Sequence, residues 1–241
     1  MLLQFDLSRI FLVLVINLLI GIVFLIFAIK ILHFKRGRLN LTFSGFYLST
    51  AIGLMINAAY AFINEAIKNT GVAQLLNYFA NFFAFYGVIF MLATNFILLK
   101  SEAVYSIKSE LKLILGYALV LGLMGIFYLV GNNFGVKIDS STLWRPVWSL
   151  PFFLYVAIVV TVFAVIPVII TSIKIARKMK EKKIKRRWLN LMIGLFGLFI
   201  YLYGAFLNNY LNNSAVRTIF SLYAITVILW VWLIYRGMKR E

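Results

Sequence analysis

The sequence predicts an all-α integral membrane protein, a bundle of seven transmembrane helices with its N-terminus out and its C-terminus in. Of the 241 residues 63% are hydrophobic and 13% are charged, and the mean hydropathy is +0.97. Soluble domains are only about half apolar, so this composition excludes a water-soluble protein. Seven apolar segments are long enough to cross a bilayer, which takes roughly 20 residues. The basic residues, finally, fall mainly on one side of the predicted bundle.

The seven spans follow one another through short joints and form one membrane domain over residues 1–241. The first is expected to be retained, because its apolar run is longer than that of a signal peptide and Asp6 interrupts the basic region such a peptide needs. Each span is an apolar stretch that must satisfy its own backbone hydrogen bonds, which favours helices. The spans cover approximately 10–32, 42–64, 72–99, 109–131, 147–173, 188–209 and 214–235.

The orientation follows from 24 Lys and Arg residues against 7 Asp and Glu residues. With the N-terminus outside, nineteen of the basic residues lie on the cytoplasmic side and five on the other. Such a bias sets topology in multi-pass proteins and requires an odd number of spans. The net charge of +17 is therefore interpreted as a signal of orientation, and the expected location is the cell membrane.

Small and polar residues recur at helical spacing on spans two, three and six, where they predict the faces that pack against other helices. The pattern is clearest on span six, which carries Asn190, Gly194, Gly197, Tyr201, Gly204 and Asn208. One interpretation is close packing of helices. The other is a cavity open to the outside, because the polar side chains concentrate in the outer half of the bundle. The predicted ligand pocket consists of Asn17, Asn57, Glu65, Asn77, Asn81, Tyr201, Asn208 and Arg217.

Glu65 and Arg217 are the opposite charges placed to meet near the mouth of this pocket. Our hypothesis is that they pair between spans two and seven. The alternative is two separate, solvated residues at helix ends. Pro167, in the middle of span five, removes one helical hydrogen bond and predicts a kink. That kink is either a passive bend or a hinge.

Between spans five and six, Lys174 to Arg187 hold nine cations and one acid, Glu181. Cations beside an anionic leaflet bind phospholipid headgroups, so we expect lipid contact here, or contact with an acidic partner. The segment has no interleaved aromatic residues, and no nucleic-acid partner is expected. A topology determinant without a further role is the simpler alternative. The contact residues are Lys178, Lys180, Lys182, Lys183, Lys185, Arg186 and Arg187.

The chemistry of the sequence disfavours an enzyme. All seven acids lie in joints or at helix ends, and cysteine is absent, so the apolar region offers no carboxylate pair or thiolate. No metal site is expected. No cofactor is expected either, and retinal is disfavoured because the seventh span has no lysine to hold it.

Two segments carry a resemblance to a known family. A basic turn, His33–Arg38, leads into the stretch from Phe43 to Gly53, and a basic run, Lys182–Arg187, leads into the stretch from Trp188 to Gly194. In these features, over most of its length, the chain resembles the seven-helix N-terminal sensor region of prokaryotic histidine kinases. The resemblance implies a sensor fold and a role in signal transduction. No kinase or other output domain follows in this sequence, so we expect a cytoplasmic signalling partner or a homo-oligomer.

The function predicted from the sequence is thus that of a non-enzymatic seven-helix membrane sensor or receptor-like protein with an outer polar pocket and a basic cytoplasmic face. One alternative is a small facilitative transporter or channel subunit. Another is a membrane accessory or scaffold protein that acts through helix contacts, for which the glycines of span six are suggestive. A polar path through both leaflets would favour transport, and a cavity closed on the inner side would favour sensing.

Overall fold

The computed structural model describes residues 16–34, 37–130 and 134–238, without the side chains of residues 34, 64–66 and 238. The described chain is mainly helical. Its helices are α1 Asn17–Phe34, α2 Arg38–Ile67, α3 Thr70–Val104, α4 Ile107–Gly122, α5 Met124–Leu129, α6 Leu150–Val160, α7 Ile166–Lys178, α8 Lys182–Leu211, α9 Ser214–Ile225 and α10 Val227–Met238.

Six helical stretches are long and apolar enough to cross a membrane, and they suggest a multi-pass membrane protein. They are Arg38–Ile63, Thr70–Val104, Ile107–Leu129, Leu150–Lys178, Lys182–Leu211 and Ser214–Gly237. The shorter apolar helix Asn17–His33 covers the described part of the first predicted span. The all-α bundle is confirmed. Its insertion and its orientation stay predictions.

The helices alternate in direction, which gives the bundle two ends. The hairpin end holds a two-stranded antiparallel hairpin, in which β1 (Val136–Lys137) pairs with β2 (Val147–Trp148). The basic end holds the turn Met179–Glu181 and most of the cations. Around the bundle α2 packs on α1 and α3, α3 on α4 and α7, and α8 on α10, while α10 returns to α1. The first and last helices therefore close the bundle, and the buried apolar core fills it.

The basic segment between spans five and six is mostly helical, which corrects the predicted loop Lys174–Arg187. Helix α7 runs to Lys178 and α8 begins at Lys182, leaving three residues between them. The prediction took the ends of the apolar stretches as the ends of the helices. Lys and Arg are good helix formers, so a helix continues beyond its apolar stretch without penalty from propensity.

Pro167 lies in a helix that continues through it. A π-helical turn, Thr161–Val165, joins α6 to α7, and the amide of Ile166 donates to the carbonyl of Thr161. A proline leaves the carbonyl four residues earlier without its usual donor, and a wider turn is one way for a helix to accommodate that loss. Whether this turn acts as a hinge stays a prediction.

Glycines bring helix backbones into close contact at two pairs of helices. A Cβ on Gly53 of α2 would lie 2.4 Å from the amide nitrogen of Ala84 on α3. A Cβ on Gly194 of α8 would lie 2.5 Å from the carbonyl oxygen of Trp230 on α10. Small residues allow such approaches between apolar helices. For these glycines, close packing within the chain is the correct interpretation of the sequence stripes.

Candidate ligand cavity

A cavity of about 720 Å³ lies between α1, α2, α3, α8 and α9 and extends from the hairpin end of the bundle to its middle part. This volume is within the range of roughly 300–1,000 Å³ that small-molecule sites occupy. Seven of the eight residues of the predicted pocket line it, although they come from five helices. They are Asn17, Asn57, Asn77, Asn81, Tyr201, Asn208 and Arg217.

The eighth residue, Glu65, lies on α2, but its side chain is outside the described residues. The proposed pair with Arg217 therefore stays a prediction. In the described residues the Arg217 guanidinium donates from Nη2 to Oδ1 of Asn212, at the turn between α8 and α9. Arg145 also lines the cavity near this end. No Asp or Glu occurs among the described lining residues, so their formal charge is positive.

Toward the middle of the bundle the cavity wall becomes apolar. It includes Phe24 and Phe46, with Val88, Leu195 and Val227 on the facing helices. Nearer the basic end than these residues are almost fully buried side chains, among them Phe43, Met91, Leu191 and Ile234. The described lining thus begins at the hairpin end and reaches past the middle of α2, to Phe46.

Asn77 and Asn81 of the predicted pocket form hydrogen bonds with each other and with Tyr128. Tyr128 of α5 donates its hydroxyl proton to Oδ1 of Asn77 at 2.8 Å. The amide nitrogen of Asn81 donates to the same oxygen at 3.1 Å and to the Tyr128 hydroxyl at 3.2 Å. Asn77 is only 2% exposed. This network joins α3 to α5, so these asparagines stabilise helix packing while they line the cavity.

Other polar groups of the lining have fewer partners. The Asn57 side chain makes no hydrogen bond to the described residues, and Oδ1 of Asn208 is buried without a hydrogen-bond partner. The hydroxyl of Tyr201 lies 3.5 Å from Oδ1 of Asn17, which is a long contact for a hydrogen bond. A buried acceptor without a donor costs about 1–3 kcal/mol, which a ligand donor would recover.

The cavity also reaches the apolar outer surface of the bundle beside α9. Leu222 and Ile225 line the cavity and are still 63% and 57% exposed. The wall at this helix is therefore one residue thick. An apolar molecule that approaches the bundle from this side would meet these side chains first.

Two buried polar clusters lie outside the cavity, and the sequence predicted them only in part. The amide nitrogen of Asn95 on α3 donates to the hydroxyls of Thr171 and Ser172 on α7, both at 2.9 Å. The sequence placed Asn95 on a polar stripe but gave no partner for it. At the basic end Arg38 pairs with Glu110, at 2.7 Å. These two residues are 72 positions apart, and no sequence pattern signals their contact.

The seven cations that were predicted to contact lipid or a partner do not all lie in one cleft. Lys182, Lys183, Arg186 and Arg187 line one cleft between α8 and α10, whereas Lys178, Lys180 and Lys185 do not line it. The structure adds to this cleft residues from the end of the predicted seventh span and the residue that follows it. They are Trp232, Leu233, Tyr235 and Arg236.

Within the described ranges no group of three His, Cys, Asp or Glu residues is placed to hold a metal ion. Comparisons with protein-family models, curated proteins and solved structures give no match. The fold and the cavity thus define the chain at the level of a helical bundle of multi-pass membrane type. The resemblance to histidine kinase sensor regions stays a prediction.

Proposed function

We propose that the chain is a non-enzymatic sensor or receptor-like protein of the cell membrane, which binds a small ligand in the cavity of its outer half. The single observation that carries this proposal is that the cavity extends inward from the hairpin end and that almost fully buried side chains lie between its described lining and the basic end. A site of this shape would receive its ligand from the hairpin side of the bundle. The proposal places the hairpin end outside, as the distribution of basic residues favours.

The lining also indicates the chemistry of the ligand. Most of its side chains are apolar, the polar groups stand toward the hairpin end, and Arg145 and Arg217 add positive charge there. An amphiphile with an anionic or polar head near these arginines and an apolar chain toward Phe24 and Phe46 matches this distribution. Entry beside Leu222 and Ile225 would suit a molecule that dissolves in the membrane.

A ligand signals only if it favours one helix arrangement over another. Helices α1, α8 and α9 converge on the cavity, and α9 continues as α10 to the basic end, where a signalling partner would bind. The π-helical turn before Pro167 is a second place where helices would shift. The resemblance to histidine kinase sensor regions supports the same role.

Binding is tested on the full chain in phosphatidylcholine nanodiscs, with oleate as the anionic probe and oleyl alcohol as the neutral one. We expect oleate to raise the unfolding temperature and to bind Arg217→Gln at least about tenfold more weakly, since a charge-assisted hydrogen bond contributes about 1.5–3 kcal/mol. Lys68→Gln is the matched control, because Lys68 is exposed at the hairpin end and does not line the cavity.

Signalling is tested separately. The chain has no cysteine, so cysteines introduced at the exposed Lys108 and Lys178 carry spin labels at the basic end without background. We expect oleate to shift the distance distribution between them. Oleate binding without any shift would contradict a sensor. Swelling of proteoliposomes in glycerol would instead favour the facilitator, and the scaffold alternative predicts neither binding nor swelling.

A further inference from the structure

A second cleft, of about 850 Å³, lies at the basic end between the first turns of α8 and the last turns of α10. Five of its nine described lining residues are cations, and none is an acid. We propose that this cleft binds the headgroup of one phospholipid that carries two phosphates, and that its acyl chains lie along α8 and α10. The cationic lining residues are Lys182, Lys183, Arg186, Arg187 and Arg236.

Two of the cations on α8 repel each other when no anion is near. Lys182 and Arg186 are four residues apart, and like charges at this spacing repel on a helix surface. Lys182 also lies in the first turn of the helix, where the macrodipole disfavours positive charge. A bound phosphate relieves both effects at once, because it meets the cations and the positive end of the helix together.

A close backbone contact between α8 and α10 shapes this cleft and positions its fifth cation, Arg236. A Cβ on Gly237 would lie 2.8 Å from the carbonyl oxygen of Arg187 and 2.7 Å from Cβ of Leu191, so the end of α10 lies directly against α8. Arg236 is thereby held beside the cations of α8. Its guanidinium lies over the Trp232 ring, 5.1 Å from the centroid, which orients it on the α10 wall.

The remaining lining favours a lipid over an acidic protein. Trp232, Leu233 and Tyr235 share the cleft with the cations, and aromatic side chains at the level of basic ones are typical of a membrane interface. Farther along the same helices Leu229 is 50% exposed and Ile193 43% exposed. Acyl chains attached to a headgroup in the cleft would cover these apolar side chains.

The number of cations favours two phosphates over one. A lipid with a single phosphate brings one negative charge to five positive residues, whereas a cardiolipin-type lipid brings two phosphates on one molecule. Basic pockets between transmembrane helices bind such headgroups in other membrane proteins. The inference does not depend on a ligand in the cavity of the other half.

The test uses the full chain in phosphatidylcholine nanodiscs that contain a small fraction of cardiolipin. Native mass spectrometry counts the cardiolipin molecules retained, and a titration gives the affinity. We expect one molecule per chain. The triple variant Lys182→Gln, Arg186→Gln, Arg236→Gln should bind on the order of a hundredfold more weakly, at about fivefold per cation. Phosphatidylglycerol at equal phosphate concentration should bind wild type at least about tenfold more weakly than cardiolipin.

The matched control is Arg177→Gln, Lys178→Gln, Lys180→Gln, which removes three exposed cations of the same segment from outside the cleft. We expect it to bind cardiolipin within about threefold of wild type. Equal losses in the two triple variants would show diffuse attraction and overturn the proposal, as would equal affinity for phosphatidylglycerol. Tighter binding of an oligoglutamate peptide than of cardiolipin, lost only in the cleft variant, would identify a protein docking site instead. Should the triple variant unfold, Lys182→Gln, Arg186→Gln provides the same comparison with α10 unchanged.

Discussion

Arg38 at the start of α2 and Glu110 in the first turn of α4 form an ion pair, with Nε and Oε2 2.7 Å apart. The side chains are only 16% and 10% exposed. Thr42 donates its hydroxyl proton to the second carboxylate oxygen, and Nη1 of Arg38 donates to the carbonyl of Glu102. The pair therefore ties the second, third and fourth spans together at the basic end.

Removing one partner of this pair should destabilise the fold. We expect Glu110→Gln to lower the free energy of unfolding by about 1–3 kcal/mol, because Arg38 would stay largely buried with a weaker acceptor. The measurement is unfolding in detergent. Lys137→Gln, which breaks the more exposed pair with Asp139, should cost no more than about 1 kcal/mol. Equal losses in the two variants would contradict a special role for the Arg38 pair.

Ser101 is strained at the end of α3. Its φ of 66° and ψ of 159° lie in a region that a residue with a Cβ rarely adopts. We expect Ser101→Gly to raise the free energy of unfolding by about 1 kcal/mol, since the relieved strain exceeds the added entropy of the unfolded chain. Ser101→Ala keeps the Cβ and should bring no gain. If both variants raise the free energy of unfolding, the effect comes from the loss of the hydroxyl and not from relieved strain.

Gly194 should be intolerant of a side chain. Its Cβ would meet the backbone of α10 at the carbonyl of Trp230, so Gly194→Ala must move a helix and should cost about 1–3 kcal/mol of unfolding free energy. Gly116→Ala is the control, because a Cβ there has no neighbour within 4 Å. It should be neutral or stabilising. The unfolding temperature in one detergent compares the two.

Substitutions at Asn57, which lines the cavity, and at Tyr128, which bonds to the lining residue Asn77, should differ in their effect on the free energy of unfolding. Tyr128→Phe removes the donor to Asn77 and should cost about 1–2 kcal/mol of unfolding free energy. Asn57→Leu breaks no hydrogen bond to the described residues and should change stability by less than about 0.5 kcal/mol. If Asn57 contacts the ligand, Asn57→Leu should weaken oleate binding more than Tyr128→Phe does. A large loss of stability in Asn57→Leu would instead place Asn57 in the packing of the bundle.

The pKa of Asp139 in the loop of the hairpin lies below its ordinary value of 3.8, chiefly because the Ser141 hydroxyl donates to the carboxylate. The charged form therefore stabilises this loop above that value, and the contribution is lost as pH falls through the lower folded pKa. We expect Ser141→Ala to raise the pKa toward 3.8, and Lys137→Gln to raise it less. The chain has two aspartates, Asp6 and Asp139, so carboxyl carbon NMR on aspartate-labelled protein resolves the titration. An unchanged pKa in Ser141→Ala would contradict this cause.

Helical periodicity and depth are enough to predict which polar residues lie at the same level of the bundle. A polar residue at a given height on one helix must be near residues of similar height on its neighbours, and Asn17, Asn57 and Asn208 line one cavity. A contact that depends on side-chain reach between distant segments cannot be predicted in this way. Hydropathy alone placed Arg38 in a joint and Glu110 at a helix end, with no indication that they meet.

The sequence by itself determined the helical bundle, its short joints and the uneven distribution of charge, because these follow from local composition and from the length a helix needs to cross a bilayer. Only the tertiary structure decided that Asn77 and Asn81 bond to Tyr128, that Gly194 and Gly197 face α10 and that Arg236 joins the cations of α8 in one cleft. The physical reason is that helix rotation and neighbour choice are set by packing across the whole bundle. No single segment of the chain contains that information.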